Sequence, residues 1–317
     1  MKALLHFAAS SRLRARLAEI VEPRVVVVAE TDYESFAREI VDADVLLHVL
    51  KPVTSAMIAK APKLKLIQKI GVGVNAIDRD AAHRAGVAVA NMPGVNTAAV
   101  VEHTLALMLA TLRRITTFDA ATRRGGGWRL PADSMEALGE LSGSRIGLVG
   151  YGAVPRRLVP VLLALGADVS FWNRTPRPDA NATPISFDRL LATSDIISLH
   201  VPLAADTRHL LDRSAIAQMK AGAVVVNTAR GELIDQAALA EALRAGRLAG
   251  AGLDVFENEP ATDIGVLADC PTVVMTPHIA WLTPQSLERG LHVILENCRR
   301  LEGGEPLLHQ IAHCPEA

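Results

Sequence analysis

The chain has 317 residues, half of them apolar and 21% charged, and its formal net charge is -1. That balance excludes a disordered or fibrous protein, and without a basic excess there is nothing to neutralise a nucleic-acid backbone or an anionic membrane surface. At roughly 100 to 200 residues per domain, the length predicts two domains and a cleft.

Short β-branched runs at residues 3–7, 25–28, 45–49, 66–70 and 87–90 alternate with helical patterns. This is the signature of a parallel sheet covered by helices on both faces. Residues 95–117 predict one long helix, apolar almost all round and therefore buried between layers or domains. The run RRGGGWRL at 123–130 breaks that pattern with three glycines and marks a domain joint. A second βα series then begins, with strands at 145–149, 169–172, 196–200, 224–227, 250–255 and 273–276, and an amphipathic helix at 284–301 is expected to return to the first domain. The expected fold is α/β with two doubly wound domains: a Rossmann cofactor domain, 99–283, inserted in a flavodoxin-like substrate domain, 1–98 and 284–317.

Cys270, Cys298 and Cys314 stand far apart without CxxC spacing, and their odd number argues against a disulfide framework. The start, MKALLHFAAS, carries too few apolar residues before the basic stretch at 12–16 for a secretory core. The apolar stretches at 105–112 and 159–165 fall short of the roughly 20 residues a bilayer helix needs. The expected location is the cytoplasm, with neither membrane nor nucleic acid as a partner.

RIGLVGYGAVPRRL places Gly150 and Gly152 between a strand and a helix, the context of a dinucleotide-binding turn. Gly150 permits the tight turn, Gly152 lets the backbone approach a pyrophosphate, and the helix N-terminus stabilises its charge. Pro155 replaces the third glycine and is tolerable in a first turn, whereas Pro160 is expected to kink the helix. An NAD site usually carries an acidic residue about 20 positions after the first glycine. Here FWNRTPR presents Asn173 and Arg174, with Arg177 nearby. Repulsion of a 2′-phosphate is gone and a guanidinium can pair with it, which favours NADP(H) while leaving NAD(H) open.

Three further segments, NTARGELID, DVFENEP and TPHIAWLT, place reactive groups at strand ends, and LLATSDIISLHVPLAADTRHL precedes them. Together with QKIGVGVNAID and PGVNTAAVVEHTLALML, over nearly the whole chain, they resemble the D-isomer-specific 2-hydroxyacid dehydrogenase family. The resemblance implies Arg230 as the substrate-binding arginine, Glu259 as the carboxylate behind the histidine, and His278 as general acid/base. It places the substrate carboxylate on backbone amides around Val72 and Gly73. For the cofactor it adds Ala153, Val154, Val201, Pro202, Thr207, Thr228 and Ala229, and sets Asp254 near the nicotinamide carboxamide. Asn75 departs from the family's usual aspartate in the substrate loop.

The chemistry agrees, because keto-acid reduction needs a proton for the oxygen as hydride reaches the carbon, and histidine titrates nearest neutrality. The resemblance extends to Trp281, three residues after His278 as in glyoxylate and hydroxypyruvate reductases, and so implies small acids such as glyoxylate or hydroxypyruvate. The alternatives are a D-3-phosphoglycerate dehydrogenase-like enzyme and a non-catalytic nicotinamide-sensing, corepressor-like protein. The chain's length and the lack of an arginine cluster in the first-domain loops disfavour the former, and the neutral charge without appended tails disfavours the latter. No metal is expected, since His48, His83, His200 and His209 lack ligand spacing and read as structural. His103, beside Glu102 on the connecting helix, is expected to make a satisfied interdomain hydrogen bond. A homodimer is expected by analogy with the family.

Overall fold

A computed structural model describes residues 1–129, 132, 134–178 and 180–312, apart from the side chain of Met135. Leu130 and Cys314, both in segments singled out above, lie outside the described residues. The chain divides into two compact units, Met1–Asn96 with Thr283–Ala317, and Thr97–Leu282.

In the first unit, β1 (Lys2–His6), β2 (Arg24–Val28), β3 (Val45–His48), β4 (Leu66–Lys69) and β5 (Ala88–Ala90) alternate with α1 (Ser11–Ala18), α2 (Tyr33–Glu39), α3 (Ser55–Ala59) and α4 (Arg79–Arg84). The sheet is wholly parallel, in the order β2-β1-β3-β4-β5. That is the flavodoxin-like order, with its switch point between β1 and β3. Ser10, Asp32, Thr54 and Asp78 each accept the amide three residues on, so every one of these helices starts where a side chain satisfies an orphan N–H.

The second unit opens with α5 (Thr97–Leu112), α6 (Ile115–Arg123) and α7 (Ser134–Ala137). The single helix expected over 95–117 is therefore two, because the backbone turns left-handed at Arg114, φ 48°. No glycine or proline announces that break. Nor is α5 buried all round: Ala99, Val101, Thr104, Leu107, Met108 and Thr111 are buried while Leu109 is exposed.

There follow β6 (Arg145–Val149), α8 (Ala153–Ala164), β7 (Asp168–Trp172), β8 (Thr183–Pro184), α9 (Phe187–Thr193), β9 (Ile196–Leu199), α10 (Arg213–Gln218), β10 (Ala223–Asn227), α11 (Gln236–Arg244), β11 (Leu248–Leu253) and β12 (Val273–Met275). They form a parallel sheet ordered β12-β11-β10-β9-β6-β7-β8. This is the Rossmann order with one strand added beyond the sixth. The sequence reading found six strands and missed β8, a two-residue edge strand ending in proline, too short for a pattern and tolerable only at an edge. Helix α8 runs unbroken through the exposed Pro160, so the expected kink does not divide it.

The last helix, α12 (Pro284–Gly303), belongs to the first unit. Its fully buried Asn297 donates to Gln68 Oε1 of β4 at 2.6 Å and to the Leu308 carbonyl at 3.1 Å.

In the second unit α5 lies close against β11, because that strand carries glycine where the helix approaches. A Cβ on Gly250 would sit 2.7 Å from the Thr272 carbonyl oxygen and 2.8 Å from Thr111 Cγ2. Gly250→Val should cost about 1 to 3 kcal/mol, the usual penalty for overpacking. It should appear as a lower guanidinium midpoint for the second unit, and an unchanged midpoint would show that α5 is not seated there.

Candidate active site

In the Rossmann order the switch point lies between β6 and β9, and ligands of such sheets bind outside the strands' carboxyl ends. Gly150 follows β6 at φ 101°, and a Cβ there would meet the His200 carbonyl oxygen at 2.7 Å. Glycine is thus required both by conformation and by the close approach of the loop after β9. Gly152 has nothing within 4 Å of an added Cβ, so its surface is open. It precedes α8 without any side-chain cap, in contrast to the helices capped by Ser, Asp or Thr. The first-turn amides, at Ala153 and Val154, are free for an anion, and the helix field favours one. Pro155 is buried in that first turn, where its missing N–H is no loss. The turn fits a pyrophosphate.

The end of β7 differs from the sequence expectation. Asn173 is engaged twice, accepting the Tyr151 amide at 3.0 Å and donating to the Thr175 carbonyl at 2.6 Å. Arg174 is paired with Asp206 of the loop after β9, both side chains being more than half exposed. In that loop Thr207 Oγ1 donates to the Pro202 carbonyl and accepts the Ala204 amide, each at 2.8 Å, closing the segment that starts at Val201.

Arg230, Glu259 and His278 follow β10, β11 and β12, three neighbouring strands, which is how residues distant in sequence come to one sheet edge. Fully buried Asn227 shapes the first loop, accepting the Ala229 amide at 2.9 Å and donating to the Arg230 carbonyl at 2.7 Å. Thr228 Oγ1 lies 2.9 Å from Thr104 Oγ1 of α5. Gly231 could carry no side chain, since its Cβ would fall 1.9 Å from the Phe256 carbonyl carbon. Burial pulls the Arg230 guanidinium below its ordinary value, while Glu259 and Glu232 act in the opposite sense. One of its nitrogens donates to the Ala229 carbonyl at 2.6 Å.

Glu259 Oε1 accepts the Phe256 amide at 3.0 Å, and Oε2 lies 2.5 Å from His278 Nδ1. A carboxylate only accepts, so Nδ1 carries the proton and Nε2 is left as the atom that can exchange one. His278 itself stands at φ 55°, a strained conformation for a residue with a side chain. Its carbonyl accepts Trp281 Nε1–H at 3.0 Å, which tethers the indole.

Asp254 also has a structural task. It is fully buried, and its carboxylate accepts Thr276 Oγ1 at 2.6 Å and the Ile279 and Ala280 amides at 2.9 Å. These bonds make Asp254 the clamp of the His278 turn. His103 Nε2 lies 2.9 Å from Thr276 Oγ1. Both residues belong to the second unit, so this bond is not the interdomain one expected.

In the first unit the Val72 carbonyl accepts Asn91 Nδ2 at 2.8 Å, and among the described residues the Val72 and Gly73 amides meet no protein acceptor. Buried His48 holds the Lys51 carbonyl at 2.7 Å and is pushed down to about 3, by burial first and nearby Lys69 second. His200 is likewise pushed down to about 3 by desolvation and lies 2.9 Å from Ser198 Oγ. His209 lies 2.7 Å from Glu257, a second imidazole–carboxylate pair beside the first. Sequence reasoning missed Asn227, Gly231, Thr276 and Glu257. Asn227 and Gly231 flank the TAR segment and carried a usable signal, but the others depend on partners far along the chain. No group of three or more potential metal ligands occurs among the described residues, and no helix there is long and apolar enough to cross a membrane.

Comparison with known proteins agrees with this geometry. Residues 105–280 match the model of the D-isomer specific 2-hydroxyacid dehydrogenase, NAD binding domain. The chain is 38% identical over 270 residues to D-3-phosphoglycerate dehydrogenase of Mycobacterium leprae, covering 83% of this chain and 50% of that protein. It is 37% identical over 273 residues to glyoxylate reductase of Aeropyrum pernix, covering 84% and 82% respectively. It therefore spans about half the length of the mycobacterial relatives it matches. Among solved structures, D-lactate dehydrogenase from Aquifex aeolicus, complexed with NAD and lactic acid, superposes with a TM-score of 0.84 at 29% identity over 96% of each chain.

The Asp254 clamp has a pH signature. Burial pushes its carboxyl up, but bonds from His103, Thr276, Ala280 and Ile279 outweigh that and hold it below the ordinary aspartate range. A depressed folded value means stability that is present above the unfolded value, about 3.9, and lost as pH falls through the lower folded one. Asp254→Asn should therefore cost roughly 1.5 to 3 kcal/mol near pH 7. The gap to wild type should narrow below about pH 4. A gap independent of pH from 7 to 3 would rule out the ionised clamp.

Proposed function

Because the chain belongs to the D-isomer-specific 2-hydroxyacid dehydrogenase family, we propose that it reduces small 2-keto acids, glyoxylate or hydroxypyruvate foremost, to D-2-hydroxy acids and runs the reverse oxidation. The observation that carries this reading is the His278–Glu259 pair at one sheet edge with the desolvated guanidinium of Arg230. A nicotinamide dinucleotide bound at the β6–α8 turn supplies or receives the hydride. Gly150, Gly152, Ala153 and Val154 hold its pyrophosphate, and the Val201–Pro202 and Thr228–Ala229 segments, with Thr207, line its path. Arg230 grips the substrate carboxylate through its planar fork and polarises the keto oxygen. His278 delivers a proton from Nε2 to that oxygen, or takes it back during oxidation, while Glu259 fixes the ring by holding Nδ1–H. The Val72 and Gly73 amides are assigned to the substrate carboxylate. The indole of Trp281, tethered to the His278 backbone, supports a preference for short side chains.

Two finer readings accompany this one. The exposed apolar side chains Leu109 of α5, Ile115 of α6, Val161 and Leu163 of α8 and Leu165 just after it support a homodimer, as does Trp128, 91% exposed between α6 and α7. Free, buried Cys270 and Cys298 are compatible with a reducing cytoplasm.

A panel of glyoxylate, hydroxypyruvate and 3-phosphohydroxypyruvate tests the reaction. Reduction of the first two should exceed that of the phosphorylated acid. Preference for the last would select the phosphoglycerate dehydrogenase reading, and nicotinamide binding without any turnover the sensor reading. His278→Gln should lower kcat by a factor on the order of 10² to 10⁴ with nicotinamide binding retained. Arg230→Lys should lose kcat/KM severely, because an ammonium lacks the bidentate fork. Near-normal kcat in the glutamine variant would remove His278 from the chemistry.

We further propose NADP(H) as the preferred cofactor, on the strength of Asn173 and Arg174. The Arg174–Asp206 pair is exposed, and such pairs contribute about 0 to 1 kcal/mol, so a 2′-phosphate can displace Asp206. The expected preference in kcat/KM for NADPH over NADH is about 10-fold, the low end for one charge-assisted bond. Asp206→Ala should enlarge it and Arg174→Ala abolish it. Equal or better turnover with NADH at matched subsaturating concentrations would refute the preference alone.

A further inference from the structure

We propose that His103 on α5 is a positioning residue for His278, acting through Thr276 and Asp254. This rests on the reading of His278 as the acid/base.

The direction of each bond in the chain follows from counting protons. Thr276 Oγ1 has one hydrogen, and the 2.6 Å contact with the Asp254 carboxylate claims it, since an ionised oxygen outcompetes a neutral ring nitrogen. The hydroxyl then offers only a lone pair to His103 Nε2 at 2.9 Å, so His103 must be the donor there. The same Nε2 lies 3.5 Å from Asp254 Oδ1, within reach of its charge.

Asp254 is fully buried and grips the two amides that follow His278, while its carbonyl accepts the His278 amide at 2.8 Å. The left-handed backbone of His278, φ 55°, persists because both sides of the residue are anchored on this one aspartate. By donating to Thr276 Oγ1, His103 stops that hydroxyl from turning to another acceptor and so keeps its hydrogen on Asp254. The ring that exchanges protons is thus aimed by a second imidazole that need not touch the substrate.

A positioning role predicts a specific kinetic pattern. His103→Leu should lower kcat for keto-acid reduction about 10-fold, equivalent to 1.4 kcal/mol. KM for the nicotinamide and for the acid should change less than about twofold, measured well below the unfolding temperature. His103→Gln, which keeps an N–H donor, should recover most of the rate. In a double-mutant cycle, His103→Leu with Thr276→Val should be no worse than the poorer single variant, because both cut the same chain.

Additive losses, or full kcat in His103→Leu, would overturn the proposal. If wild type bound nicotinamide but turned nothing over, the dehydrogenase reading would fail by itself, and NMR would still test the chain. The His278 ring resonance, assigned by its loss in His278→Gln, should move in His103→Leu and return in His103→Gln. An unmoved resonance would count against the positioning role whatever the enzyme's activity.

Discussion

The second unit depends on keeping one carboxylate out of water. A buried charge without partners is untenable, and Asp254 is tolerated because a hydroxyl and two amides converge on it at 2.6 to 2.9 Å. Those donors are not interchangeable parts of a core. The amides belong to the turn that presents His278, and the hydroxyl belongs to the residue that ends the strand before it. Satisfying the charge and shaping the turn are the same event, so the turn cannot relax to an easier backbone without stranding a buried anion. The strain at His278 is held by electrostatics, and α5 closes the arrangement by bringing His103 to Thr276.

What was legible in the chain was what is local. The glycine turn at Gly150 and Gly152 and the apolar strands each declare themselves within a few residues. The order of Arg230, Glu259 and His278 at successive strand ends was readable because β10, β11 and β12 are neighbours in the sheet. What escaped was non-local or lacked a pattern. β8 is two residues long, and the break at Arg114 has no helix-breaking residue to mark it. The partner of Arg174 lies 32 positions away, and that of His103 lies 173 positions away. The structural role of Asp254 was hidden for the same reason. Sequence places a carboxylate near the site, but only coordinates show that protein donors already surround it.

Arg230 and Arg174 differ in burial and therefore in how freely each can change partners. Arg230 is partly buried, so the carboxylates of Glu259 and Glu232 act on it where charges interact more strongly than at the open surface. Its loop is fixed further by Asn227 and by the close pass of Gly231 against Phe256, so it has little freedom to change. Arg174 and Asp206 face solvent, where water screens the pair and the exchange of one anion for another is nearly balanced. In the reading proposed above, a substitution at either position would shift the choice of dinucleotide and leave Arg230 and His278 untouched. The exposed Arg174–Asp206 pair is thus free to exchange partners, while Asp254, its charge held out of water, and the partly buried Arg230 sit in loops fixed by their own hydrogen bonds.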